Sequence, residues 1–337
     1  MHGGNVYEYR MKYGKDPLDF SANVNPLGAP GIVKAAVAEA MERIDLYPDP
    51  ECTKLREAVA AHEGVSADDV LCGAGASDLI FRYVCAMRPQ RTLIITPAFS
   101  EYEKALRLYD SQIIRHELRE ENDFKIDETI LKKIDGTIDL LILNIPHNPT
   151  GLVPDTKLVD TIINKCDDSD VHILSDECFI DFMEDPKEHT LIGKKNTTVI
   201  RAFTKYHGLA GLRLGYAIGP DRELMKKMKA AGPCWNVSTV AQAAGMSVLG
   251  YDRDVREDIK KEREFLTDQL TGLDMRVIPS AANYILFYSE DHRLHEKLYE
   301  KGILIRDCSD FYGLKSGWYR IAVKKHEDNL KLLEMIR

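Results

Sequence analysis

Thr197-Thr-Val-Ile-Arg-Ala-Phe-Thr204-Lys205-Tyr-His-Gly-Leu-Ala-Gly-Leu-Arg213-Leu-Gly-Tyr216 reads as a short β-branched and aromatic strand that stops at a lysine. A Gly-rich stretch then leads to an arginine eight residues on. A lysine that can lose its proton is a carbonyl-capturing nucleophile, able to form a Schiff base. An arginine nearby can grip a phosphate bidentately. Together they suit an aldehyde cofactor that carries a phosphate, which is pyridoxal phosphate. A lone lysine and a lone arginine are far more often solvated surface groups, so the weight falls on the rest of the chain.

Two upstream segments supply that weight. Asp139-Leu-Leu-Ile-Leu-Asn144-Ile-Pro-His-Asn148-Pro149-Thr150-Gly151 reads as a buried apolar strand stopped by an Asn-Pro-Thr-Gly turn. Val171-His-Ile-Leu-Ser-Asp176-Glu177 is another short apolar strand, with a carboxylate at its C-terminal end. Open α/β sheets bind ligands beyond the carboxyl ends of their strands. Asn148, Asp176 and Lys205 are therefore predicted to converge on one crevice. With this ordered set and Arg213, the chain resembles the fold-type I pyridoxal-phosphate enzymes of the class I/II aminotransferase superfamily.

The bulk numbers agree with an enzyme of small molecules. A chain of 337 residues favours two domains. It is 44% hydrophobic and 29% charged, which suits a packed core and not a disordered chain. A formal net charge of -9 argues against nucleic-acid and anionic-membrane partners. It leaves room for a locally basic pocket and an anionic small substrate. The seven cysteines are odd in number, scattered and without a Cys-x-x-Cys pair. They read as reduced thiols of a cytoplasmic protein, and no metal-ligand spacing appears. The start has no apolar run of the kind a secretory signal needs, and no segment approaches membrane-spanning length.

Along the chain, residues 1–29 are Gly-, Asn- and Pro-rich and are expected to form an irregular arm. Helical periodicity runs from Gly31 to Ile44 and over 53–63. Val70-Leu-Cys, Thr92-Leu-Ile-Ile and Leu214-Gly-Tyr-Ala-Ile218 read as further strands. Ser77 to Met87 and Ala98 to Tyr109 read as helices between them. Such alternation indicates a mostly parallel sheet with helices on both faces. Beyond Gly232-Pro233 the pattern changes to two helices, about 238–250 and 253–270, followed by three strands beginning at Asn283, Gly302 and Trp318. These suggest a smaller α+β domain. The expected division is a large domain over 45–235 and a small one made of 1–44 and 236–337. In the resembled fold the N-terminal arm packs with the C-terminal part.

The resemblance also implies roles. Gly73-Ala-Gly75-Ala76-Ser77 joins a strand to a helix, where free N–H groups and the helix dipole favour an anion. Alone, such a turn is more often a plain helix start. In the family it is the first phosphate-binding turn, which assigns Gly75, Ala76 and Ser77 to the cofactor phosphate, with Thr204 and Arg213 completing the cup. Relatives often have a hydroxyl three residues before the lysine, where this chain has Ala202. Asp176 would pair with the pyridine nitrogen and favour its charged form. Asn148 would bond the ring oxygen, and Phe99 would stack on the ring. Arg320, in Tyr319-Arg-Ile-Ala-Val, matches the clamp for a substrate α-carboxylate. Asn25 lies in a segment that approaches the same carboxylate. By themselves, such Asp, Asn and aromatic residues are commonly caps, turn formers and core.

Three features resemble the threonine-phosphate decarboxylase branch, which serves cobalamin biosynthesis. They are His2-Gly-Gly-Asn5 with Leu18-Asp-Phe-Ser-Ala-Asn23-Val-Asn25, Phe179 where histidinol-phosphate aminotransferases usually carry tyrosine, and Gly302-Ile-Leu-Ile-Arg306-Asp-Cys-Ser309 with Trp235-Asn-Val. Tyr206-His207 departs from the apolar residues expected after the lysine. A phosphorylated amino-acid substrate needs a second anion site, for which His2, Asn5 and Arg306 are candidates by position, with Asn23 beside them. The resemblance further implies a homodimer. The alternatives are a histidinol-phosphate or other aminotransferase on the same scaffold, a non-catalytic pyridoxal-phosphate-binding protein, and a nucleotide-binding α/β protein. Against the last, no lysine follows the Gly73–Ser77 turn as a phosphate loop requires.

Overall fold

The computed structural model describes residues 3–251 and 254–337. The apolar runs of the sequence become the middle of a seven-stranded sheet. Its order is Val70–Gly73, Gly215–Ile218, Thr197–Ala202, His172–Asp176, Leu140–Asn144, Arg91–Thr96 and Gln112–Glu117. Gly215–Ile218 runs antiparallel to both of its neighbours, and the other neighbouring pairs are parallel. The strands Leu140–Asn144 and Thr197–Ala202 are buried along their whole length. Central parallel strands are covered on both faces, so their sequences read as apolar runs without alternation. Successive side chains still part to opposite faces. Leu140 and Ile142 pack with Leu79 and Tyr83 of the helix Ala76–Met87. Leu141 and Leu143 pack with Ile162 and Ile163 of the helix Thr156–Asp168.

The register places the functional ends level. Asn144 pairs with Asp176, and Asp176 with Ile200. The chain leaves the sheet just beyond this line and carries Asn148 and Lys205 to the same edge.

A second, four-stranded antiparallel sheet has the order Arg306–Asp307, Trp318–Ala322, Tyr284–Tyr288, Arg276–Ile278. The N-terminal arm is sewn to this part. Leu18–Asp19 pairs in parallel with Ile303–Leu304, and Ala322 N–H donates to Phe20 O at 2.8 Å. Among the described residues, no helix is long and apolar enough to cross a membrane.

Several elements differ from the sequence reading. The arm is not wholly irregular: Val6–Tyr13 is a helix, closed by Gly14 in the left-handed conformation at φ 68°. It buries only Tyr9, so it carries no apolar stripe to read. The helix from Gly31 is α-helical to Ala40 and tightens to a 3-10 turn over Met41–Arg43. Gln112–Glu117 and Arg276–Ile278 are further strands, each the outermost of its sheet. A half-exposed edge strand bearing Arg115 and His116 lacks the apolar run that revealed the others.

Candidate functional site

Beyond the carboxyl ends of the central strands lies a cleft of about 850 Å³. Ser77, Phe99, Asn148, Asp176, Lys205 and Arg213 line it from the large sheet, and Arg306 and Arg320 from the small one. Residues far apart in sequence meet here because parallel strands all end on one side.

At one end is an anion cradle. Gly75 has φ 91° and precedes the helix Ala76–Met87, whose first N–H groups have no intrahelical partner. A Cβ on Gly75 would lie 2.8 Å from Arg213 Nη2 and would displace the guanidinium, and the φ of 91° itself favours glycine. Arg213 Nη1 donates to Ala210 O at 3.2 Å. Asp78 braces the turn from behind, accepting Ala74 N–H at 2.9 Å and Asn236 Nδ2 at 2.8 Å. Ala76 and Ser77 line the cleft, as does Thr204. Ala202 lines it too and offers no hydroxyl.

The middle of the cleft holds Lys205. Burial, reinforced by the Arg320 charge and more weakly by Arg213, lowers its amine from the ordinary lysine value to about 8. Its Nζ sits 5.3 Å from the centre of the Phe179 ring, which packs edge-on against Tyr284. Phe179 presents carbon where a tyrosine would present an oxygen.

Asp176 is buried at 6% exposure. Its Oδ2 accepts the Tyr102 hydroxyl at 2.5 Å, and its Oδ1 accepts the Cys178 N–H at 3.0 Å. Burial first, then the Asp176 charge, push the Tyr102 phenol well above its ordinary value, so it stays a donor. The Tyr102 ring also meets Phe99 edge-on, with centroids 5.7 Å apart. Asn148 Oδ1 accepts Arg320 Nη1. Such an arrangement turns the Asn148 amide nitrogen away from that arginine.

Arg320 is 7% exposed, and burial lowers its guanidinium from the usual value. It forms no ion pair among the described residues. Its partners are neutral oxygens, of Asn148 and of Ser21 at 3.5 Å, and its Nε has no partner. A buried guanidinium in this state is poised for a carboxylate. Arg306 stands opposite it, paired with Asp310 at 2.7 Å and lying 5.0 Å from the Phe311 ring centre.

Two of the residues expected at the substrate, Asn25 and Asn5, do not reach the cleft here. Asn25 Nδ2 donates to Tyr206 O at 2.8 Å and its Oδ1 accepts Leu27 N–H at 3.0 Å, while its own N–H bonds Lys205 O at 3.0 Å. Its side chain is spent on the loop that carries Lys205, and it does not line the cleft. Asn5 is exposed and donates to Glu8 at 3.0 Å. His2 lies outside the described residues. By contrast Asn23 lines the cleft with a buried Oδ1 that lacks a partner, and Gly3 lines it beside Ser21. Sequence reasoning missed Tyr102 and Asn144. The first lies three residues after Phe99, the spacing of neighbours on a helix; the second is a polar residue closing an otherwise apolar strand.

The donor set fits pyridoxal phosphate. An N–H and guanidinium cradle would hold its phosphate, Asp176 its ring nitrogen, Asn148 its ring oxygen, Phe99 its ring face and Lys205 its aldehyde carbon.

The profile of the family described as aminotransferase class I and II matches residues 15–336. The threonine-phosphate decarboxylase of Salmonella typhimurium is 35% identical over 349 residues, covering 100% of this chain and 95% of that one. A histidinol-phosphate aminotransferase of Methanothermobacter thermautotrophicus is 29% identical, covering 99% of this chain and 92% of the other. Among solved structures, the histidinol-phosphate aminotransferase from Clostridium acetobutylicum superposes with a TM-score of 0.88 at 28% identity, covering 95% of this chain and 98% of that one.

Proposed function

Within the aminotransferase class I and II family, to which this chain belongs, we propose that it decarboxylates L-threonine O-3-phosphate to (R)-1-aminopropan-2-yl phosphate for cobalamin biosynthesis. The observation that carries this reading is the pair of arginines. Arg320 offers a buried guanidinium without a carboxylate, and Arg306 offers a second cation in the same cleft. A substrate with a carboxylate at one end and a phosphate at the other uses both. The 35% identity to a threonine-phosphate decarboxylase over the whole chain supports the same choice.

Bound pyridoxal phosphate supplies an electron sink for the pair released at the substrate α-carbon. The chain does the rest. Lys205 would hold the cofactor at its aldehyde carbon, a place that the substrate amine would take. Its amine, lowered to about 8, then serves as the group that returns a proton to the α-carbon. Arg320 holds the α-carboxylate and Arg306 the distal phosphate. Anchoring both ends fixes rotation about the α-carbon, and that rotation decides whether the carboxylate or the hydrogen leaves. Phe179 contributes no hydroxyl, which leaves the ring oxygen to Asn148.

The second reading is a histidinol-phosphate aminotransferase, favoured by the TM-score of 0.88 to one such structure. Incubating the holoenzyme with O-phospho-L-threonine and identifying the phosphorylated product by mass tests the two. The amine product supports decarboxylation, and a keto acid formed with 2-oxoglutarate supports transamination.

The same reading includes a homodimer in the cytoplasm. Ile44 is 61% exposed and Tyr47 81%, and Tyr47 stacks on the exposed Trp235 with ring centroids 4.7 Å apart. An apolar patch of this kind suits cover by a second copy. A monomeric mass by light scattering at full activity would refute the dimer. The seven free cysteines suit a reducing compartment.

A further inference from the structure

Asn144 closes the strand Leu140–Asn144 and stands directly across from Asp176 in the sheet register. It is 6% exposed and lines the cleft. Both ends of its amide are spent. Nδ2 donates to Asp176 O at 2.7 Å, and Oδ1 accepts Asn148 N–H at 2.8 Å. Asn148 in turn accepts Arg320 Nη1 on its side-chain oxygen. The hydrogen bonds therefore run without a break from Arg320 through Asn148 and Asn144 to Asp176. They join the guanidinium proposed for the substrate carboxylate to the main-chain carbonyl of Asp176, the residue whose carboxylate is proposed for the cofactor nitrogen.

A strand end is an awkward place for this polar residue unless it is used. At this line the register of the two strands ends. Asp176 O accepts Ile145 N–H at 3.0 Å as well as the Asn144 amide. Asn148 N–H, just before Pro149, finds its acceptor in the Asn144 side chain. A leucine or valine here would continue the apolar run and leave Asn148 N–H without this acceptor.

We infer that Asn144 is a positioning residue that locks the Asn148 loop to the Asp176 strand end, so that the substrate-carboxylate clamp and the cofactor contacts are set as one unit. It touches neither reacting atom. It acts through Asn148 on Arg320 and through the Asp176 main chain on the Asp176 carboxylate. The inference rests on the proposed pyridoxal-phosphate site and on Arg320 as the clamp.

Two double-mutant cycles on the holoenzyme test it. In the first, O-phospho-L-threonine and O-phosphoethanolamine, which lacks the carboxylate, are titrated by absorbance. Asn144→Ala is expected to weaken phosphothreonine about tenfold and phosphoethanolamine much less. On an Arg320→Ala background the same change should cost phosphothreonine little more. The second cycle needs no substrate. Asn144→Ala should raise the pyridoxal phosphate dissociation constant several-fold, and by clearly less on an Asn148→Ala background. Equal weakening of the two ligands together with full additivity in the cofactor cycle overturns the inference and leaves Asn144 a packing residue. If the wild type binds the cofactor but neither phosphorylated ligand, the substrate reading falls and the cofactor cycle alone decides Asn144.

Discussion

Arg306 and Arg320 face one another across neighbouring antiparallel strands, in register. Directly opposed residues put their side chains on one face of a sheet, so two guanidinia enter the cleft side by side. They differ in state. Arg306 has Asp310 as a counter-charge, whereas Arg320 meets neutral oxygens and the face of the Tyr284 ring. The difference makes Arg320 the stronger unmet demand for an anion, and Arg306 a site where a phosphate must compete with a carboxylate.

Removing the two arginines should therefore have separable effects. Arg306→Ala should weaken phosphothreonine far more than threonine, because only the former loses a charge-assisted contact, of about 1.5–3 kcal/mol. Arg320→Ala should weaken both. Inhibition constants for the two ligands check this, and equal losses in the Arg306 variant would show that the phosphate lies elsewhere.

Lys205 should be the residue labelled when the yellow holoenzyme is treated with borohydride, and Lys205→Ala should lose that covalent link. The pH dependence has a definite sign. Burial lowers the amine to about 8, so the nucleophilic neutral form is half-present at about pH 8 and nearly complete about one unit above it, instead of above the ordinary lysine value. The capture rate of pyridoxal phosphate by the apoenzyme should rise with pH and level off near there. Continued rise toward pH 10.5 would show an amine that the cleft does not perturb.

Tyr102→Phe keeps the ring that meets Phe99 and deletes only the donor to Asp176. Cofactor affinity should fall about tenfold, the loss typical of a hydrogen bond to a charged group. Equilibrium dialysis would measure it. An unchanged dissociation constant would mean that the Cys178 N–H alone suffices to hold the carboxylate.

Arg201 lies four residues before Lys205, at 6% exposure, between Glu177 at 3.0 Å and Glu63 at 3.0 Å. Tyr216 donates its hydroxyl to Glu63 at 2.5 Å. Cutting Arg201 to alanine leaves two acids buried without their cation, which typically costs about 3–5 kcal/mol. The urea midpoint of the apoenzyme should drop accordingly. A shift within error would show that water or a rearranged side chain replaces the guanidinium.

The sequence made the centre of the molecule legible because buried parallel strands are apolar runs and their ends carry polar residues. Asp139–Gly151, Val171–Glu177 and Thr197–Lys205 announced both the sheet and the line along which the cleft would open. Less visible were residues whose use depends on three-dimensional neighbours. Asn25 has the composition of a ligand-binding residue, yet both ends of its amide go to the main chain of its own loop and of Tyr206. Asn144 and Tyr102 look like a strand terminus and a core aromatic. Only the register with Asp176 and the turn of the helix Ser100–Arg107 give them partners. The helix Val6–Tyr13 escaped notice because a segment that buries one residue leaves no periodic trace.

The carboxylate, and not the α-hydrogen, is proposed to leave the substrate held beside Lys205. O-phospho-L-threonine labelled with carbon-13 in its carboxyl group tests this in one experiment, with the holoenzyme and 2-oxoglutarate both present. Labelled CO2 released in step with substrate consumed, with no label in keto acid, is the expected result. Label retained in a keto acid while glutamate accumulates would contradict it.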